Sequence, residues 1–192
     1  MKIILASSSP RRVEVMKNLG LDFETIPSSF DERAVKEADP LRLVKTLALE
    51  KARVVTQENP GSVVIGADTM VQIADEFVGK PKDLEEARRM LRKASGQEVK
   101  DFVGLAVIFN NQEKAMSSIG RAKMKSFGDK EIDSYLSRVN PLDKAGGFAG
   151  AAAEGGEFYA SYSGEPGQEF GLPLTSLEKF LTEFGVAVPK QD

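Results

Sequence analysis

Short apolar runs alternate along this chain with segments of helical period. Ile3-Ile4-Leu5-Ala6 is an uninterrupted apolar run, which predicts a buried strand. Ser7-Ser8-Ser9 follows, and Val13, Met16 and Leu19 then fall on one helical face. Ser9 suits the N-cap, Pro10 the first helical position and Gly20 the closing position. Phe23 to Ile26 predicts a second strand and Pro27 to Asp39 a polar loop. Pro40 opens a long helix to about Val55, with Leu41, Val44, Leu47 and Ala48 inward. After a turn at Asn59-Pro60-Gly61, Ser62 to Ala67 predicts a central strand ending at Asp68-Thr69. Met70 to Ile73 continues extended toward a hairpin turn near Asp75-Glu76.

Beyond the loop Gly79-Lys80-Pro81, Asp83 and Glu86 have the spacing of a capping box. They open a helix carrying Leu84, Ala87, Leu91 and Ala94, which Ser95-Gly96 ends. Phe102 to Phe109 and Ala115 to Ser126 predict two strands around a turn at Asn110-Asn111. Asp129 is expected to cap a helix with Ile132, Tyr135, Leu136 and Val139. Residues 144 to 171, with eight glycines and six alanines, give only Phe158-Tyr159-Ala160 as a strand. Thr175 and Glu178 read as a second capping box, for a last helix with Leu177, Phe180, Leu181 and Phe184. Strand and helix alternating in this way predict an α/β fold around a mostly buried sheet.

Composition narrows the chemistry. The 192 residues are 41% hydrophobic and 29% charged with a formal net charge of −3, the profile of one globular domain. The chain has no histidine and no cysteine. That excludes imidazole bases, thiol nucleophiles, Ser-His-Asp triads and Cys- or His-ligated metals. Carboxylates remain, and they favour hard cations such as Mg²⁺. The mild negative charge argues against nucleic acid as a partner. No apolar run approaches the roughly 20 residues of a membrane span, and no signal peptide is evident, so a cytoplasmic address is expected.

Sites in open α/β folds gather where strands lead into loops and helices. Ser7-Ser8-Ser9-Pro10-Arg11-Arg12 places two arginines in a first helical turn, where the helix dipole disfavours them, beside three hydroxyls. That suggests an external anion, most simply a phosphate; a solvated cap with surface arginines is the plainer alternative. It is not a Walker loop. Asp68, expected at a strand end, is either a site residue or the cap of a turn. Lys80 is a lysine pinned between Gly79 and Pro81, and Lys51 lies one position off the Val44/Ala48/Val55 face. Asp31-Glu32 is an acidic pair in a loop. Basic groups for phosphates and carboxylates for a metal and an attacking water make up a kit for phosphoanhydride chemistry.

Seven segments in order resemble motifs of the Maf family of nucleoside triphosphate pyrophosphatases, also called septum formation inhibitor Maf. They are Leu5-Ala6-Ser7-Ser8-Ser9-Pro10-Arg11-Arg12, Leu47-Ala48-Leu49-Glu50-Lys51-Ala52, Gly66-Ala67-Asp68-Thr69, Gly79-Lys80-Pro81, Ser95-Gly96, Asp143-Lys144-Ala145-Gly146 and Gly171-Leu172-Pro173-Leu174. The resemblance covers essentially residues 1–192 and implies a single domain. The fold it implies is elongated and mixed α/β, with two lobes around a cleft, similar to inosine triphosphate pyrophosphatases. It also implies hydrolysis of a nucleoside triphosphate between the α and β phosphates, with Mg²⁺ or Mn²⁺, releasing a monophosphate and pyrophosphate. Such a house-cleaning enzyme acts on dTTP, UTP or modified nucleotides, and family members are often dimers.

Carried onto this chain, the resemblance makes Asp68 the base that activates water. Arg11, Arg12, Lys51 and Lys80 become phosphate-binding residues, with Ser7, Ser9 and Thr69 beside the substrate. Asp68 becomes a metal ligand together with the acidic loop position, Asp31 or Glu32. One segment departs from the pattern. The family's pyrimidine-reading glutamine aligns with Ala151 or Ala152, in the run Gly147-Phe148-Ala149-Gly150-Ala151-Ala152-Ala153-Glu154. An alanine cannot make an amide's two-way hydrogen bond to a base edge, so the base preference stays open. A histidine frequent after the Ser-Gly motif is also absent, the residues there being Gln97-Glu98-Val99-Lys100. Two other functions remain open: a non-catalytic nucleotide-binding regulator of cell division, and a phosphomonoesterase.

Overall fold

A computed structural model describes residues 1–153 and 155–189; Glu154, which closes the departing run, lies outside the described residues. The strands are β1 (Ile3–Leu5), β2 (Glu24–Thr25), β3 (Val63–Ile73), β4 (Glu76–Val78), β5 (Glu98–Phe109), β6 (Gln112–Met124) and β7 (Tyr159–Ser163). The helices are α1 (Pro10–Asn18), α2 (Pro40–Glu58), α3 (Leu84–Ala94), α4 (Asp129–Arg138) and α5 (Leu174–Glu183). The strand order is β2-β1-β3-β5-β6-β7, with β4 paired to β3. β1 is parallel to both β2 and β3, whereas β4 and β7 are antiparallel to their partners. The fold is therefore mixed α/β, as the alternation of periods predicts.

The chain forms two compact units, and β3, β5 and β6 each contribute residues to both. The first comprises residues 1–68, 103–118 and 165–192. Its core has two parts. In one, Leu5, Met16, Leu19, Ile65, Leu105, Leu177 and Leu181 pack together. In the other, Ile4, Ala48, Ala52, Val64 and Ala106 do. The uninterrupted apolar runs of β1 and β3 follow from this, because both faces of these strands are buried. The second unit comprises residues 69–102 and 119–164, around Ile73, Leu91, Met124, Ile132, Tyr135 and Phe158.

α2 lies unusually close to the strands beneath it. A Cβ on Gly66 would collide with the Ala48 carbonyl oxygen and stand 2.9 Å from Ala52 Cβ. One on Gly104 would collide with the Val44 carbonyl and stand 2.7 Å from the Lys45 nitrogen. Glycine is required at both points for contact, not for backbone freedom.

Several local expectations need correction. β3 runs unbroken through Asp68 and Thr69, so Asp68 is a mid-strand residue and not a strand end. β2 keeps only Glu24–Thr25, and both residues are exposed. α2 extends to Glu58, a turn beyond the expected stop. Leu84, the first residue of the helix, is 54% exposed although it lies on the face of Ala87, Leu91 and Ala94; Met90 is buried with those three. Asp83 does cap α3, accepting from Glu86 N–H at 2.8 Å, but Glu86 answers Lys82 N–H rather than closing a box. Gly128, not Asp129, occupies the N-cap of α4, and Glu131 accepts from the Gly128 N–H at 3.0 Å. The Thr175/Glu178 box does not form, since α5 starts at Leu174 and puts Thr175 inside it. Glu165 serves that helix end instead, accepting from Ser176 N–H at 2.9 Å and from its hydroxyl at 2.7 Å. That partner lies eleven residues upstream, beyond the local spacing that defines a box.

Replacing Gly66 or Gly104 by alanine should lower stability by at least about 1–3 kcal/mol through overpacking. Gly79→Ala, where the new Cβ meets nothing within 4 Å, should stay within about 0.5 kcal/mol of wild type. Urea unfolding midpoints of the three variants check this.

Candidate active site

Of the polar residues singled out in the first unit, Lys51, Asp68 and Glu32 meet at the edge of α2 where it packs on β3. Asp68 follows Gly66-Ala67 on the strand, and Lys51 lies between Ala48 and Ala52, the residues packed on Gly66. The close approach therefore delivers Lys51 Nζ to Asp68 Oδ1 at 2.5 Å. The same ammonium meets Glu32 Oε1 at 2.7 Å. The Lys51 and Asp68 side chains are only 14% and 10% exposed, whereas Glu32 is 56% exposed. One cation thus joins an inner and an outer carboxylate.

Glu32 begins a 3-10 turn, Glu32–Ala34, that interrupts the polar loop. Asp31 is the N-cap of that turn and faces elsewhere. It accepts from Arg33 Nε at 2.9 Å and from Arg33 N–H at 3.2 Å, and these bonds hold its carboxyl below the usual range. Of the two acidic loop residues, the structure brings Glu32 alone to Lys51.

Arg12 is built into the protein. Its Nη1 donates to Ser7 Oγ at 3.2 Å and to the Ala67 carbonyl at 3.0 Å, and its Nε to the Gly171 carbonyl at 3.0 Å. One guanidinium thereby ties together the loop after β1, the residue before Asp68 and the turn before α5. Burial pushes Arg12 down to about 10, opposed by the Asp68 charge and aided by Arg11; it remains cationic at neutral pH. Ser7 Oγ also accepts from Ser9 N–H at 3.2 Å, which shapes the loop, and Ser9 takes the N-cap of α1 without a side-chain capping bond. Arg11 is half-buried on the first turn of α1.

Thr69 and Lys80 belong to the second unit. Both line a depression of about 300 Å³ with Met70, Phe77, Val78, Gly79 and Ala145. The Gly79 carbonyl accepts from Gly146 N–H at 2.9 Å, so the Gly79-Lys80-Pro81 and Asp143-Lys144-Ala145-Gly146 segments are tied together. Lys144 is turned onto Asp143 and the Asn140 carbonyl, at 2.6 and 2.7 Å. Ser95 of the Ser95-Gly96 segment has a structural task, exchanging two hydrogen bonds with the backbone of Phe127. Among the described residues no three carboxylates form a metal cluster, and no helix is long and apolar enough to cross a membrane.

Gly66, Ala67 and Gly171 stand in the quoted motifs, but pattern alone assigns none of them a role. The last two act through backbone carbonyls, which carry no residue-type signal. Gly66 did carry one, because an isolated glycine in an apolar strand marks a close backbone approach.

The family model described as "Maf-like protein" matches residues 2–184. A dTTP/UTP pyrophosphatase of Dictyoglomus turgidum is 35% identical over 190 residues, covering 97% of this chain and 98% of its own. One from Symbiobacterium thermophilum is 36% identical, covering 97% and 96%. One from Syntrophus aciditrophicus is 38% identical, covering 96% and 90%.

Arg12→Ala should destabilise the nucleotide-free protein by about 1–3 kcal/mol, because the Ala67 and Gly171 carbonyls lose their donor. Arg12→Lys should recover only part of that, since an ammonium cannot reproduce the fork. Thermal melts without nucleotide read this anchoring role apart from any part in substrate binding.

Proposed function

The chain belongs to the Maf-like protein family, and on that premise we propose that it is a metal-dependent nucleoside triphosphate pyrophosphatase. It hydrolyses the α-β phosphoanhydride to give a nucleoside monophosphate and pyrophosphate. The observation that carries this reading is the half-sequestered Lys51 bridging Asp68 and Glu32, beside the anchored Arg12. The full-length relatives named as dTTP/UTP pyrophosphatases support the same reaction class and make dTTP and UTP the first substrates to assay.

Asp68 acts as the base. Its carboxylate takes the proton from water. The oxygen then forms a bond to the α phosphorus while the bond to the bridging oxygen breaks and pyrophosphate departs with those electrons. Lys51 and Arg11 hold the phosphates, and Arg12 keeps the Ser7 loop and the Asp68 strand in register. Thr69 and Lys80 keep the substrate-binding roles that their motif positions imply.

A hard divalent cation fits the donor set. Asp68 and Glu32 supply two oxygen donors that already meet at one positive charge, and Mg²⁺ sites of this kind take one or two carboxylates plus substrate phosphates. Mg²⁺ or Mn²⁺ bound there would neutralise phosphate charge and polarise the attacked phosphoryl group. Asp31, turned onto Arg33, is left out of this ligand set.

Incubation with dTTP, UTP and a panel of other canonical and modified triphosphates should release pyrophosphate, not orthophosphate, as first product. Asp68→Asn should cut kcat by about 10²-fold or more, on the scale of general-base catalysis, while the protein stays folded. Orthophosphate as first product, or near-wild-type turnover by Asp68→Asn, contradicts the assignment.

A further inference from the structure

The Lys51 ammonium stands where two carboxylates converge, at 2.5 Å from one and 2.7 Å from the other. A divalent cation ligated by Asp68 and Glu32 needs those same oxygens. Two positive charges cannot share them at such range without strong repulsion, least of all where the inner pair is nearly withdrawn from water. We propose that Lys51 is a resident competitor for the metal site: it neutralises Asp68 and Glu32 in the free protein, and it must leave them before a divalent cation can bind.

Two features support displacement over permanent occupancy. Glu32 is the exposed partner, on a short turn, so its half of the bridge opens at little cost. Lysine carries its charge on a flexible four-carbon stem, and an incoming phosphate is an equally good acceptor. The nucleotide's phosphates therefore take over the ammonium while the cation takes over the carboxylates. Without nucleotide the ammonium has no such alternative, and the site resists free metal. The cation consequently enters together with the triphosphate, and until then Lys51 compensates the two facing carboxylates. This inference rests on the ligand set assigned above, but not on turnover.

Mn²⁺ titration of the nucleotide-free protein, followed by electron paramagnetic resonance of the unbound ion, tests it. Lys51→Met should bind Mn²⁺ at least tenfold more tightly than wild type. Adding Glu32→Gln should abolish the gain, and Lys51→Arg, which keeps the charge, should stay at the wild-type level. Lys51→Gln serves as a second neutral variant should the methionine protein not fold, with the melting transition as the check. Mn²⁺ affinity that is unchanged or weaker in a folded neutral variant overturns the proposal.

A reading on wild type needs no neutral variant. In lysine-¹⁵N-labelled protein, the Lys51 ammonium resonance, assigned with Lys51→Arg, should hold its position on adding Mg²⁺ alone. It should shift on adding Mg²⁺ with a non-hydrolysable triphosphate. A shift with Mg²⁺ alone at low concentration overturns the proposal. If nucleotides are not hydrolysed but the Mn²⁺ gain appears, the pyrophosphatase reading fails and this one stands. If hydrolysis occurs without the gain, only this one fails.

Discussion

The passage of α2 across two glycines is the constraint on which the rest of the first unit depends. Gly66 and Gly104 have no Cβ, so the carbonyls of Ala48 and Val44 can rest directly on β3 and β5. With a larger residue at either point the helix would stand off the sheet. Lys51 would then miss Asp68, because its side chain reaches the carboxylate only from a backbone held at that distance. The two small residues flanking Lys51, Ala48 and Ala52, are buried for the same reason. Packing and chemistry are here one geometric fact.

On that platform the charges are arranged in layers. Asp68 and Lys51 are nearly withdrawn from solvent, and a buried charge is tolerated only with a partner. Glu32 then meets the same ammonium from the exposed side. Arg12 stabilises a different relation, fastening the backbone before Asp68 to the loop after β1 and to the turn before α5. Its bonds to the Ala67 and Gly171 carbonyls and to the Ser7 hydroxyl hold chain segments, whereas Lys51 holds ionised groups. The absence of histidine and cysteine is consistent with such a site, since carboxylate, ammonium and guanidinium groups carry its charge chemistry.

The second unit is built by other means. Tyr135 is fully buried and satisfies its hydroxyl on the Gly147 carbonyl and the Ala149 N–H, which orders part of the glycine- and alanine-rich stretch. Tyr159 adds a bond to the Ala149 carbonyl. In this way Tyr135 of α4 and Tyr159 of β7 fix the backbone at Gly147 and Ala149 in a segment without periodic pattern.

Much of the fold was legible in the sequence. The apolar runs of β1 and β3, the periods of α1, α2 and α3 and the Asn110-Asn111 turn are local patterns, and local pattern reflects which faces must be buried. The acidic, basic and hydroxyl residues of the site were also legible, as types at motif positions. The sequence did not determine which of Asp31 and Glu32 turns toward Lys51. That depends on Arg33 capturing Asp31 in a 3-10 turn, a short-range competition with no periodic signature. Nor did it determine that Arg12 would spend its guanidinium on the Ala67 and Gly171 carbonyls, or that Glu165 would serve the end of α5. Those partners lie far apart in the chain or act through the backbone. Residue identity and spacing settled the elements and the chemical inventory; only the packed structure decided which charges meet, because that depends on distances set by contacts between distant segments.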